Sequence, residues 1–380
     1  METIQFNPNS ARRPEATLGW IILPRALNRH FQRVRVAVHT ILEACGAFEW
    51  VALSYLGLSG LLMILFCKHL PRAGRLLAIH SGFTAAVVGL VTFVRQSTAK
   101  FVKRNSFVGF LHGARDWYPQ AVFLFCFEEL GALSHMLHRG WCDAWFLAFD
   151  RSLLGVYPTV WLGQFARPAL TETMQIAYLS YFFYLTILCI FLYCFGPDSP
   201  SVETSRLRAF WAVMTSSMAA YAIGYVISIL LPAESPYFSL AALHVTPLHG
   251  GPFTRLSDLI EHFGRVHGGA FPSEHVAGSL VALLGAWRYR RHLFWIFLPF
   301  FTCMCVSTVY VRNHYIADVL GGLLVGWIGF QIGHWLMQFP GSFPERMIHE
   351  SPSPEPAQAK ISILPDAGEI PDALPQKAAQ

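Results

Sequence analysis

The chain has 380 residues, of which 54% are hydrophobic and 13% charged, with a formal net charge of +5. Soluble domains carry roughly 25% charged residues, so this chain holds more apolar surface than a soluble core of its length can hide. Its basic residues fall in short clusters between apolar runs, such as Arg288-Tyr-Arg-Arg291. That pattern fits the loops of a membrane protein and argues against a nucleic-acid-binding face.

In chain order, residues 1–46 form a basic segment (Arg12, Arg13, Arg25, Arg29, Arg33, Arg35) with a half-apolar piece suited to the membrane interface. A bilayer-crossing helix needs about 20 apolar residues, and by that ruler there are about eight candidates: 47–66, 75–94, 118–137, 171–195, 209–231, 273–288, 293–311 and 315–338, of which the sixth is short and needs its flanking Arg side chains to snorkel. The runs are continuously apolar rather than alternating, so helices are expected instead of a barrel. Residues 138–168 mix Trp141, Trp145, Trp161, Asp143, Asp150 and Arg151, and read as an interfacial helix pair. Residues 341–380 are rich in Pro, Ala, Ser and Glu and are expected to be disordered. The expectation is an all-α polytopic transmembrane helical bundle of about eight spans. It divides into residues 1–46, a transmembrane catalytic domain over 47–340, and a tail over 341–380.

The eight cysteines fall mostly inside apolar runs, with no CxxC pair and no zinc-type spacing with histidine. They read as small buried hydrophobes. The Arg288, Arg290 and Arg291 turn, the basic loop 95–117 and the basic N-terminus place one face in the cytoplasm. The loop 67–74 then falls outside, although it carries Lys68 and Arg72.

Polar residues interrupt the apolar runs at two points. One is Gly268-Gly-Ala-Phe-Pro-Ser-Glu-His275, before the sixth run. The other is Ser307-Thr-Val-Tyr-Val-Arg-Asn-His-Tyr-Ile-Ala-Asp318, between the seventh and eighth. The sixth and seventh runs form a hairpin around the Arg288 turn, so His275 and His314 share the opposite, non-cytoplasmic face. His314 and Asp318 are four apart and share one helix face. The carboxylate can hold one imidazole nitrogen and leave the other as nucleophile or base. The second histidine is then free to act as an acid. Ser273 and Glu274 stand at a helix start, where an anion is welcome. Metal binding by His275, His314 and Asp318 is the competing reading. The Gly-rich turn and Arg312 suit an oxyanion better than a cation. Glu128 and Glu129 lie inside the third run, where a carboxylate is costly and functional by default. Each could meet Arg312, a polar group of the substrate, or a structural partner such as His135 or a serine. With His80 they could instead mark a proton path in a transporter.

Phe-Pro-Ser-Glu-His275 and His314-x3-Asp318 resemble the second and third signatures of the type 2 phosphatidic acid phosphatase superfamily. More weakly, Arg115-Asp-Trp-Tyr-Pro119, Tyr178-x2-Tyr181 and Pro232-Ala-Glu-Ser-Pro236 resemble the branch containing inositol phosphorylceramide synthase. The resemblance implies a six-helix phosphatase-like core and a lipid phosphatase or head-group transferase. In it His314 is a phosphohistidine-forming nucleophile, Asp318 its orienting carboxylate, and His275 the acid that later activates the acceptor. No metal or cofactor is implied. The implied substrate is a phospholipid, polyprenyl or sphingolipid phosphate, with a small alcohol such as inositol as a possible acceptor. The first signature, Lys-x6-Arg-Pro, is not found; Ser228 and Ser235-Pro236 stand in its place, and Thr308 replaces the arginine of the third. Arg312 is the nearest local substitute. These losses favour a transferase modestly. A non-catalytic lipid-binding member remains as an alternative, against which the complete His–His–Asp set argues.

Overall fold

Inside a bilayer every backbone N–H and C=O needs an internal partner, and a helix supplies it. The computed structural model describes residues 35–36, 38–100, 106–199, 205–339 and 341–342. Its elements are all helices, with no strand among the described residues. In chain order they are α1 (Ala47–Leu65), α2 (Ala73–Lys100), α3 (Ser106–Trp117), α4 (Pro119–Leu133), α5 (Asp143–Leu154), α6 (Pro158–Gly163) and α7 (Pro168–Leu179). There follow α8 (Tyr181–Phe195), α9 (Arg206–Leu230), α10 (Pro236–Ser239), α11 (Pro252–Gly264), α12 (Glu274–Tyr289), α13 (Arg291–Tyr310) and α14 (Ile316–Leu336). The expectations for residues 1–34 and 343–380 lie outside the described residues.

Six stretches are long and apolar enough to cross a membrane: α1, α2, α7 with α8, α9, α13 and α14. These match six of the eight expected runs. The other two form helices of 15 residues (α4) and 16 residues (α12). At about 1.5 Å per residue they reach about 22–24 Å, short of a hydrocarbon core of about 30 Å. The expected helix pair over 138–168 is α5 and α6.

Helix α9 is the most enclosed of the six and packs against α14, α12 and α1. Small residues set how closely these helices approach, as in membrane helix packing. A Cβ at Gly329 would stand 2.5 Å from the Ala220 backbone nitrogen, and one at Gly322 would stand 2.5 Å from the Ser273 carbonyl. Glycine at 322 thus brings the start of α14 against the start of α12, where the two sequence signatures lie. The outer surface is apolar: Leu61, Ile64, Leu124, Phe183, Trp295 and Leu324 are exposed and face where lipid would be.

Helix α11 has the inverse of a soluble pattern. Thr254 and Ser257 are buried, whereas Phe253, Leu256, Leu259 and Ile260 are exposed. Its first turn is fixed by Glu172, which accepts from the Gly251, Phe253 and Thr254 N–H groups at 2.6–3.2 Å. Glu172 sits in the first turns of a membrane-crossing stretch, so α11 starts level with the end of a span.

Candidate active site

The N-terminus of α12, the loop after α13 and the N-terminus of α14 converge at one end of the bundle. Ser273 caps α12 by accepting from the Val276 N–H, and the Ser273 N–H donates to the Asp318 carbonyl at 3.0 Å. His275 and His314 face each other, with His275 Nδ1 and His314 Nε2 3.2 Å apart. His314 Nδ1 lies 2.9 Å from the Ala270 carbonyl and 3.2 Å from Asp318 Oδ2. A carbonyl only accepts, so Nδ1 carries the proton and Nε2 keeps its lone pair. His275 Nδ1 must then donate to that lone pair. Its Nε2 accepts from the Tyr178 hydroxyl at 3.0 Å. Asp318 Oδ2 also accepts from the Tyr315 N–H at 2.8 Å, which fixes the carboxylate before it meets the imidazole.

Helix α5 holds this assembly from one side with two acids seven residues apart. Asp143 accepts from the Glu234 and Ser235 N–H groups at 2.9 and 3.2 Å and from the Tyr315 hydroxyl at 2.5 Å. Asp150 accepts from the Ile316 and Ala317 N–H groups at 2.9 and 3.1 Å, and so caps α14. Burial pushes the Asp150 carboxyl above the usual carboxylate range, against the two N–H donors that favour its charge. Replacing Asp150 with alanine should cost about 1–2 kcal/mol of stability, as for a lost helix cap. Thermal unfolding in detergent checks this; an unchanged midpoint would remove Asp150 from the frame.

The expected site residues are not all brought together. Ser273, Glu274 and Ser235 lie with His275, His314 and Asp318 at this end. Glu274 and Ser235 line the same cavity as His275. Glu274 is buried against Gly224, and neither carboxylate oxygen has a hydrogen-bond partner among the described residues. Arg312 adopts φ 71°, donates to the Thr246 carbonyl and does not line that cavity. Glu129 pairs with His80 at 2.9 Å, and His80 Nε2 meets the Leu56 carbonyl. The partner of Glu129 is therefore neither Arg312 nor His135. Glu128 is exposed. Tyr178, Asp143 and Asp150 reach the site from more than 90 residues away; the sequence marked Tyr178 only through the weaker resemblance, and Asp143 and Asp150 only as members of the 138–168 helix pair, none of them as site residues.

The cavity beside His275 has a volume of about 100 Å³. That is room for about three waters, or for one phosphate-sized group. Tyr178, Tyr181, Phe182, Glu261, Arg265 and Asn313 are among the residues that line it.

These features define a helical, membrane-spanning protein with a paired-histidine cluster at one end of its bundle. The family model described as the PAP2 superfamily matches residues 144–332, a stretch that contains His275, His314 and Asp318. The match supports a phosphatase-type enzyme. A PA-phosphatase related-family protein of Dictyostelium discoideum is 25% identical over 170 residues, covering 41% of this chain. The aligned part spans 30% of that relative's length. No solved structure matches the chain.

Proposed function

We propose that residues 47–340 form one catalytic unit, a membrane-embedded lipid phosphate phosphatase or phosphotransferase working through a phosphohistidine on His314. One observation carries this reading: His314 Nδ1 is held by Ala270 and Asp318 while Nε2 faces His275. His314 Nε2 attacks phosphorus, and the P–N bond forms as the P–O ester bond breaks. His275, doubly protonated at this step, passes its Nδ1 proton to the leaving alkoxide and is left as a neutral imidazole. An incoming hydroxyl then gives its proton to His275 as its oxygen displaces His314 from phosphorus. Water as the acceptor makes a phosphatase, and an alcohol makes a transferase. The exposed apolar stripe of α11, close to the cavity, supports a lipid substrate over a soluble one.

Head-group transfer like that of inositol phosphorylceramide synthase is the finer reading. Tyr178 and Tyr181 favour it, because their rings flank His275 with centroids 5.0 and 4.3 Å away. Arg115 gives it no support at the site; it pairs with Glu49 and the Ala44 carbonyl instead. Purified protein incubated with labelled phospholipids, with and without inositol, tests both forms. Free phosphate alone identifies a phosphatase, a new inositol lipid identifies a transferase, and neither product ends the reading.

The site is proposed to face the non-cytoplasmic side. The turn joining α12 and α13 carries Arg288, Arg290 and Arg291, which are costly to translocate in so short a loop. The loop after α1, with Lys68 and Arg72, lies at the site end, where His69 meets the Met136 carbonyl. Basic residues therefore stand at both ends, and the tight turn carries the inference. Gly268 is buried, with φ 95° and no room for a Cβ beside Ser134, so the exposed neighbour His267 is the better probe. In a cysteine-free background, a membrane-impermeant maleimide should label His267→Cys and spare Arg290→Cys on intact cells. The reverse labelling would invert the topology.

A further inference from the structure

A phosphoryl site needs a cation, and the sequence offers Arg312. The fold turns Arg312 onto the Thr246 carbonyl, away from the cavity. Among the described residues that line the cavity with His275, Arg265 is the sole lysine or arginine. It follows the last turn of α11, the helix whose apolar stripe faces outward.

An ion pair and a ring contact hold Arg265. Its guanidinium pairs with Glu261, one helical turn earlier. Its Cζ lies 3.9 Å over the Tyr237 ring. Glu261 in turn accepts, through Oε1, from Asn313 Nδ2 at 2.6 Å. Asn313 also lines the cavity and directly precedes His314. The Arg265 and Glu261 side chains are 19% and 18% exposed, so the pair opens to the cavity rather than being sealed in the core. A guanidinium presents a fork that matches phosphate oxygens, and stacking on Tyr237 pre-orients it.

We propose that Arg265 is the phosphate-binding cation of this site, held at rest by Glu261 and passed to the phosphate when a substrate enters. The assignment rests on the phosphoryl reading above. It also gives Glu261 a function. A carboxylate that competes with substrate for the same guanidinium weakens binding of free phosphate, and with it product inhibition. Asn313 ties that exchange to the residue next to the nucleophile.

Orthovanadate, a phosphate mimic, is the probe, titrated calorimetrically into the full-length protein in detergent. Arg265→Gln should weaken vanadate binding on the order of 10- to 100-fold, the worth of a hydrogen bond to a charged group. The KM for a lipid phosphate should rise more than kcat falls. Arg265→Lys should recover part of the affinity, since it restores charge without the fork. Glu261→Gln should tighten vanadate binding, which loss of a purely structural ion pair would not do, and this variant keeps the test decisive if Arg265→Gln folds poorly. Native affinity in Arg265→Gln, or weaker binding in Glu261→Gln, overturns the assignment of Arg265 and leaves the phosphohistidine reading standing. Absence of vanadate binding and of lipid phosphate turnover in the unsubstituted protein overturns both.

Discussion

Replacing His314 with alanine should lower turnover on the order of 10⁴-fold or more and remove any acid-labile phosphoenzyme. The expectation follows from the placement of its two nitrogens. Nδ1 faces acceptors, the Ala270 carbonyl at 2.9 Å and Asp318 Oδ2 at 3.2 Å, so the lone pair is left on Nε2. His275 cannot take over the attack, because its Nε2 is turned to the Tyr178 hydroxyl and its Nδ1 donates to His314. The two histidines should therefore fail differently. His275→Ala removes the proton donor but leaves the nucleophile. It should still form phosphoenzyme from an aryl phosphate, whose leaving group needs no protonation, while turning over lipid esters poorly. Rapid-quench trapping with ³²P-labelled substrates reads both variants. Near-native lipid turnover in His314→Ala would sink the covalent mechanism, whatever the behaviour of His275→Ala.

The parts of the site that were legible in the sequence are those set by local geometry. One helical hairpin necessarily returns the chain to the face it left, so the start of α12 and the end of α13 had to meet. The four-residue step from His314 to Asp318 needs only one helical turn. What depends on tertiary packing was not legible. Arg312 was favoured because it stands two residues before His314, yet a positive φ there points the guanidinium onto Thr246. Arg265 arrives through α11, whose stripe of Phe253, Leu256 and Ile260 follows helical spacing and could have been read as an interfacial helix. Asp143 and Asp150 were placed on a helix correctly, but their caps on the 232–236 loop and on α14 span 91 to 167 residues. Glu129 was read as costly inside a span, and its buried partnership with His80 across 49 residues offsets that cost. Two of the eight runs form short helices for different reasons: α4 ends at Leu133, before its apolar run does, whereas α12 (Glu274–Tyr289) is simply as short as its run, 273–288.

Asp318→Asn should slow turnover by about 10²- to 10³-fold, less than the ~10⁴-fold loss seen when the carboxylate of a Ser-His-Asp triad becomes an amide. Much of that larger loss comes from the wrong imidazole tautomer. Here a second acceptor guards the tautomer: the Ala270 carbonyl sits closer to His314 Nδ1 than Asp318 does. Nδ1 therefore keeps its proton in the variant, and Nε2 stays nucleophilic. What the variant loses is the negative charge that stabilises the imidazole as it becomes cationic on phosphorylation, in a site where Asp318 is fully buried. The fold should survive, because the asparagine carbonyl can still accept the Tyr315 N–H that starts α14. Single-turnover rates of phosphoenzyme formation, measured beside the thermal midpoint, separate these effects. The slow step should be phosphorylation itself, with an unchanged midpoint. Loss as large as in His314→Ala would show that the Ala270 carbonyl does not hold the ring, and that Asp318 alone sets the tautomer.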